Sequence, residues 1–192
     1  MIVHEFALFD TSIGRCGIVW TERGIAAVQF PEANEDKTRQ RLLRRFPDAR
    51  EAEPKPDTQH AIDGIVALLR GEPHDLTDIR IDDAEIPEFN RRVYAIARAI
   101  PPGSTMTYGE IAERLGDRLL AREVGQALGE NPTPIIMPCH RVLAAGGKTG
   151  GFSAVGGVTT KLRLLTIEGA QPGGPTLFDA LPLAAPPHRS LG

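Results

Sequence analysis

Apolar and polar residues alternate in short runs at the start of the chain, which is the pattern of half-buried β-strands. Three such runs cover residues 2–9, 16–20 and 25–30. The four residues 21–24 end in glycine, which can adopt the positive φ of a hairpin turn. We therefore predict an antiparallel meander in which Cys16 is a packing residue, because free cysteines are usually buried.

Further along, apolar residues recur at the three- and four-residue spacing of amphipathic helices. This spacing predicts helices over about 36–46, 58–70, 87–100, 107–116, 119–129 and 159–168. Residues 47–56 are expected to form a loop, and residues 74–81 one more strand. Thr107 and Glu110 have the spacing of a capping box, which marks a helix start. The short helix that follows and the next one predict a helix-turn-helix.

These elements predict an α+β fold with two domains and a tail. Residues 1–82 would form a small mixed or antiparallel sheet with helices, and residues 83–170 a mostly helical domain. Residues 171–192 are rich in proline and are predicted to be disordered. Within this tail, Leu177 and Phe178 form a candidate docking motif for a replication or repair partner.

Composition narrows the choice of function. The 192 residues carry a net charge of −3, so this is not a generally basic nucleic-acid-binding protein. Residues 101–170 are the slightly basic part, so a DNA contact should be confined to them. The two cysteines predict neither a disulfide framework nor a zinc site, and no other cofactor is expected. No secretory signal or membrane span is visible, so a reducing cytoplasm is the expected location.

The candidate chemistry lies in residues 131–142, which read Asn-Pro-Thr-Pro-Ile-Ile-Met-Pro-Cys-His-Arg-Val. Residues 135–137 are predicted to form a buried extended segment, because the prolines on both sides exclude a helix. Cys139 follows at a rigid position, and the next two residues can raise its thiolate fraction. A lone buried cysteine is usually only a packing residue, so adjacency to histidine does not by itself indicate catalysis.

The Pro-Cys-His-Arg string, with Asn131 and Pro132 upstream, resembles the active-site signature of the O6-alkylguanine-DNA alkyltransferases, or methylated-DNA–protein-cysteine methyltransferases. The resemblance is close over about 87–170 and covers residues 1–80 only in general layout. It implies a ribonuclease H-like first domain and a winged-helix-like second domain. It also implies single-turnover repair, in which the alkyl group of O6-alkylguanine passes from duplex DNA to Cys139 after nucleotide flipping, with O4-alkylthymine as a second candidate substrate.

The same resemblance implies roles for individual residues. Cys139 is the nucleophile, His140 the base acting through a water molecule, and Glu168 the residue that orients the imidazole. Tyr108 would donate a hydrogen bond to the departing purine, and Asn131 would support the turn that carries the thiol. The expected DNA-binding residues are Thr107, Ala121, Arg122, Gly125, Gln126 and Arg141. The expected substrate-binding residues are Val142, Phe152 and Ser153. No residue is expected to bind a metal.

Departures from the family pattern leave the range of alkyl groups open. The loop after Ser153 is slightly longer than usual, Glu123 replaces a small residue, and Phe152 stands where many relatives have tyrosine. A non-catalytic lesion-binding protein on the same scaffold is the main alternative, followed by a cysteine hydrolase and a helix-turn-helix regulator. For the main hypothesis the expected state is a monomer, and the partner is double-stranded DNA containing the lesion.

Overall fold

The computed structural model describes residues 2–170. Its main sheet has the strand order β3-β2-β1-β4, with β1 at Glu5–Thr11, β2 at Gly14–Thr21, β3 at Gly24–Gln29 and β4 at Arg50–Glu51. The first three strands form the predicted antiparallel meander, and Gly24 has a φ of 142° at the turn. The short strand β4 lies in the predicted loop and pairs in parallel with β1, which makes the sheet mixed. The predicted α+β class is confirmed.

Helices cover both faces of this sheet. α1 (Glu35–Arg45) is capped by the side chain of Asn34 and packs on one face. α2 (Pro56–Leu69) packs on the other face, because successive strand side chains point to opposite sides. Cys16 lies on the α2 side with no exposed surface, and burial raises the pKa of its thiol to about 12. The prediction that it is a packing residue is therefore confirmed.

Residues 74–81 do not form the predicted strand. Ile81 makes an isolated bridge to Ile25, and turns precede it. The Arg98 guanidinium donates hydrogen bonds of 2.9, 3.1 and 2.9 Å to the carbonyl groups of Leu76, Thr77 and Ile79. These carbonyl groups converge on one cation, whereas those of a strand point alternately to its two sides.

The second half of the described chain is mainly helical. Its apolar core lies between α3 (Glu88–Arg98), α4 (Tyr108–Arg114) and α5 (Ala121–Gly129). The predicted capping box is present, because the Thr107 hydroxyl accepts from the Glu110 N–H and the Glu110 carboxylate accepts from the Thr107 N–H. A 3-10 turn over Arg118–Leu120 joins α4 to α5. The helix-turn-helix is confirmed, although its second α-helix begins two residues later than predicted.

Residues from the second half of the described chain contribute to the core of the first half. α6 (Gly157–Ile167) contributes Leu164 to the core beneath the main sheet, together with residues 135–136. Cys139 packs instead with the helices of the second half. The segment before Cys139 therefore contacts both cores.

Two short strands place α4 beside the cysteine segment. β5 (Met106–Thr107) pairs in parallel with β6 (Val142–Leu143), so the start of α4 lies next to the residues that follow Cys139. Within residues 2–170, no helix combines the length and apolar character needed to cross a membrane. The tail, with its Leu177-Phe178 motif, lies outside the described residues.

Candidate active site

A tight turn holds Cys139 in place. Ile135 has a φ of 76°, a left-handed conformation that is strained for a β-branched residue, and the Met137 N–H donates to the Thr133 carbonyl at 2.8 Å. The Asn131 amide closes the turn, donating to the Met137 carbonyl at 2.8 Å and accepting from the Thr133 N–H at 3.0 Å. Burial of this segment is confirmed, but the extended conformation is wrong, because Asn131 satisfies backbone groups that a neighbouring strand would otherwise satisfy.

Cys139 is buried, with 8% of the residue exposed, and its sulfur lies 3.3 Å from the Asn131 Nδ2 atom. Burial raises the pKa of the thiol, while the Asn131 hydrogen bond and the nearby Lys161 ammonium act in the opposite direction. The resting thiol is therefore neutral at neutral pH. Its reaction as a nucleophile requires a base that removes the proton.

His140 and Glu168 provide such a base. Their Nε2 and Oε1 atoms are 2.7 Å apart, and both side chains are buried. Burial opposes ionisation of Glu168, but hydrogen bonds from His140 and Arg141 outweigh it and lower the pKa of the carboxyl to about 2. A carboxylate only accepts hydrogen bonds, so Nε2 carries a proton and Nδ1 is the basic nitrogen. Nδ1 has no hydrogen-bond partner among residues 2–170.

Arg141 belongs to this network and not to the protein surface. Its guanidinium donates to the Glu168 carboxylate at 2.9 and 2.8 Å and to the Ile100 carbonyl at 2.6 Å. The residue is only 5% exposed. The expectation that Arg141 binds DNA is therefore wrong in this structure, because its donors are used to hold Glu168. Its role is to fix and neutralise the carboxylate that orients His140.

Lys161 is a buried cation to which the sequence analysis gave no role. It has no exposed surface, and its Nζ donates to the Val142 carbonyl at 2.6 Å. Nζ also lies 5.7 Å from the ring centre of Tyr108 and 6.0 Å from that of Phe152. Burial lowers the pKa of Lys161 to about 8, although the neighbouring Cys139 opposes this. A lysine in the apolar stripe of α6 was the signal that could have identified it.

A cavity of about 580 Å³ connects the thiol to the helix-turn-helix. Its lining includes Tyr108, Ala121, Arg122, Gly125, Leu128, Cys139, Phe152 and Ser153. Burial raises the pKa of Tyr108, so its hydroxyl stays protonated and can donate a hydrogen bond. Gly150 allows the loop to approach this hydroxyl, because a Cβ atom there would lie 2.9 Å from it. The cavity thus combines a nucleophile, a hydrogen-bond donor and a helix face.

Comparisons with known proteins agree on one family. The family model described as the DNA-binding domain of 6-O-methylguanine DNA methyltransferase matches residues 88–170. A methylated-DNA–protein-cysteine methyltransferase of Methanosarcina acetivorans is 33% identical over 165 residues, covering 86% of this chain and 98% of the relative. This chain belongs to the methylated-DNA–protein-cysteine methyltransferase family. Its counterpart from Mycolicibacterium paratuberculosis is 44% identical over 121 residues, covering 62% of this chain and 70% of that relative.

Solved structures of methyltransferases support this membership. The crystal structure of Mycobacterium tuberculosis O6-methylguanine methyltransferase is similar with a TM-score of 0.69 and 30% identity, covering 88% of this chain and 93% of that chain. A structure of the Mycobacterium tuberculosis protein in complex with DNA gives a TM-score of 0.69 and 30% identity, covering 86% and 92% of the two chains.

The remaining expected residues of this methyltransferase occupy three settings. Arg122 and Gln126 are exposed on α5, beside the half-buried Ala121 and Gly125. Thr107 is partly buried and caps α4, and Gln126 and Thr107 do not line the cavity. The Ser153 hydroxyl donates to the Gly129 carbonyl at 3.1 Å, and the Phe152 ring lies 6.1 Å from that of Phe30. Within residues 2–170, no three acidic, histidine or cysteine side chains are grouped to hold a metal ion.

Proposed function

We propose that this protein repairs duplex DNA by transferring the alkyl group of O6-alkylguanine to its own Cys139. The observation that carries the proposal is a thiol in a cavity lined by α5, followed directly in the chain by a histidine whose imidazole is held by a buried carboxylate. O4-alkylthymine presents a similar exocyclic oxygen and is a second candidate substrate. We further expect the protein to act as a monomer in the cytoplasm.

Proton transfer comes first in the proposed reaction. His140 Nδ1 takes the thiol proton through a bridging water molecule, and Glu168 stabilises the imidazolium that forms. The Lys161 ammonium and the Asn131 amide stabilise the thiolate, since both lower the pKa of Cys139. The sulfur then forms a bond to the alkyl carbon while the bond from that carbon to O6 breaks.

The leaving group is the guanine base. The electron pair of the broken bond passes to the purine, which gains a proton in place of the alkyl group. Tyr108 donates a hydrogen bond to the purine, and the Ser153 region stabilises charge that develops on O6. The Val142 carbonyl already accepts from Lys161, and its second lone pair can accept from the guanine amino group.

Access to the lesion requires the nucleotide to leave the base stack. Flipping costs a few kcal/mol, and the cost is smallest for a damaged and badly paired base. Arg122 can fill the gap, because a planar guanidinium stacks on bases and hydrogen-bonds to the unpaired partner. Ala121 and Gly125 are small enough for α5 to approach the minor groove closely, where phosphate contacts would supply most of the affinity.

The proposed product is a thioether on Cys139. No described side chain is placed to cleave a carbon–sulfur bond, since the side chains that act on the sulfur are the Asn131 amide and the Lys161 ammonium. Each protein molecule is therefore expected to react once. This separates the proposal from a cysteine hydrolase, whose acyl-enzyme is cleaved by water and which turns over repeatedly.

An intact-mass measurement tests the proposal. The protein is mixed with excess duplex containing O6-methylguanine, and we expect a gain of one methyl group on Cys139 together with restored guanine in the DNA. The Cys139→Ala variant is the control, which should keep affinity for the lesion but gain no mass. Tight binding by the wild-type protein without any mass gain would instead favour the lesion-binding alternative.

A further inference from the structure

A second cavity, of about 610 Å³, reaches Cys139 from the side of the main sheet. It shares Gly129, Cys139, Phe152 and Ser153 with the first cavity, so these residues form the boundary between the two. Its remaining lining comes from α1, the end of β3, the cysteine turn and the loop after Ser153. We call it the arginine cavity, because Arg41, Arg44 and Arg45 of α1 line it.

The arginine cavity carries an excess of positive charge. Arg41 pairs with Glu32 at 3.1 Å, whereas the ion pairs within residues 2–170 include neither Arg44 nor Arg45. The carboxylate in the lining is that of Glu130, which accepts a hydrogen bond of 2.9 Å from an asparagine amide. Neither Arg44 nor Arg45 therefore has a carboxylate partner among the described residues, and the Arg45 guanidinium lies 5.3 Å from the ring centre of Phe46.

Building on the proposed function, we propose that the arginine cavity receives the distal end of long O6-alkyl groups and favours those that end in a carboxylate. The guanine enters through the first cavity, where Tyr108 and α5 lie. The alkyl carbon must contact the Cys139 sulfur at the boundary. The sulfur and O6 lie on opposite sides of that carbon during the displacement, so a longer chain leaves it sideways, and the arginine cavity is the second open space that adjoins the sulfur there.

A DNA phosphate is less suitable than an alkyl carboxylate as the anion that binds Arg44 and Arg45. The recognition helix borders the first cavity, and the second contains only its last residue, Gly129. A duplex seated on α5 would thus lie on the far side of the Phe152-Ser153 boundary from Arg44 and Arg45. A carboxylate on the transferred group, in contrast, is carried to the boundary by the reaction itself.

The chemistry of transfer is unchanged by the distal carboxylate. The sulfur–carbon bond forms, the carbon–O6 bond breaks and the guanine keeps the electron pair. His140 receives the thiol proton and returns it to solvent, from which the guanine takes one proton. The carboxylate stays ionised and remains on the protein with the alkyl chain. Arg44 and Arg45 therefore affect the rate through attraction to the substrate, which is modest because both side chains are exposed to solvent.

The test compares duplexes that carry O6-(4-carboxybenzyl)guanine, its uncharged 4-carbamoylbenzyl analogue of similar size, or O6-methylguanine. Single-turnover rate constants of transfer are measured for the wild-type protein and for the Arg44→Gln/Arg45→Gln variant. We expect the wild-type protein to react about threefold to tenfold faster with the acid than with the amide. In the double variant this ratio should fall to about one, with the methyl rate unchanged.

Lys37→Gln is the matched control, because Lys37 is an exposed cation of α1 that does not line the arginine cavity. In this variant the rate constant for the acid, divided by that for the amide, should be the same as in the wild-type protein. Equal wild-type rates for acid and amide would overturn the proposal. So would a double variant that slows all three substrates alike, since the arginines would then act on the DNA. Failure of the wild-type protein to transfer methyl would instead refute the proposed function itself.

Discussion

Replacing Glu168 with glutamine should cost both stability and activity. The side chain of Glu168 is 3% exposed and contacts both His140 and Arg141. Its pKa of about 2, against an ordinary value of 4.5, corresponds to about 3 kcal/mol of folding free energy. Removal of one partner from a buried ion pair typically costs about 3–5 kcal/mol, which agrees with this value. We expect Glu168→Gln to lose about that much stability near pH 7.

The pH dependence distinguishes this mechanism from simple loss of packing. Because the folded pKa lies below the unfolded value, the contribution of Glu168 is fully present above pH 4.5 and is lost as the pH falls toward 2. In acid, the free energy of unfolding of the wild-type protein should therefore approach that of the Glu168→Gln variant. By about pH 3, more than half of the stability difference should be gone.

Urea unfolding followed by the fluorescence of Trp20 measures this difference, and the exposed Glu113 supplies the control variant Glu113→Gln. The control should match the wild-type protein at both pH values. In parallel, methyl transfer by Glu168→Gln should slow by about tenfold or more, because the base loses the charge that stabilises its imidazolium. An unchanged free energy of unfolding near pH 7, or a deficit equally large near pH 3, would refute the reasoning.

Three further substitutions test the other parts of the site. Asn131→Ala removes the hydrogen bonds that close the cysteine turn, so thermal melting should show a loss of about 1–3 kcal/mol together with slower transfer. Arg122→Ala should leave melting unchanged but slow transfer from duplex DNA by about tenfold, and an unchanged rate would exclude a role in flipping. Lys161→Met should slow transfer and remove a step near pH 8 from the pH–rate profile, since that step reports the Lys161 ammonium.

Periodicity located most elements, because the meander and the amphipathic helices bury one face each. It gave the wrong conformation for residues 74–81 and 135–137, because hydrogen bonds from side chains elsewhere in the chain determine the backbone conformation there. Arg98 collects three carbonyl groups in the first case, and the Asn131 amide closes a turn in the second. Neither set of hydrogen bonds can be inferred from the local spacing of apolar residues.

The candidate site was predictable where its residues adjoin in sequence or match the family pattern. Arg141 was misassigned because its place in the Cys-His-Arg string gives no indication of whether its side chain points outward. Its partners, Glu168 and the Ile100 carbonyl, are distant in sequence. The position of Lys161 in the apolar stripe of α6 indicates burial, but only the folded chain shows that its ammonium lies near Tyr108 and contacts the Val142 carbonyl.

The packing of Ile135, Ile136 and Leu164 beneath the main sheet means that the second half of the chain relies on the first half for part of its core. A fragment beginning at residue 83 would expose these three side chains, each worth about 1.5–3 kcal/mol when buried. The sheet supplies no group to the proposed chemistry, yet the geometry of the nucleophile depends on it. A fragment that contains only the second half would therefore keep the signature sequence but is expected to lose the transfer activity.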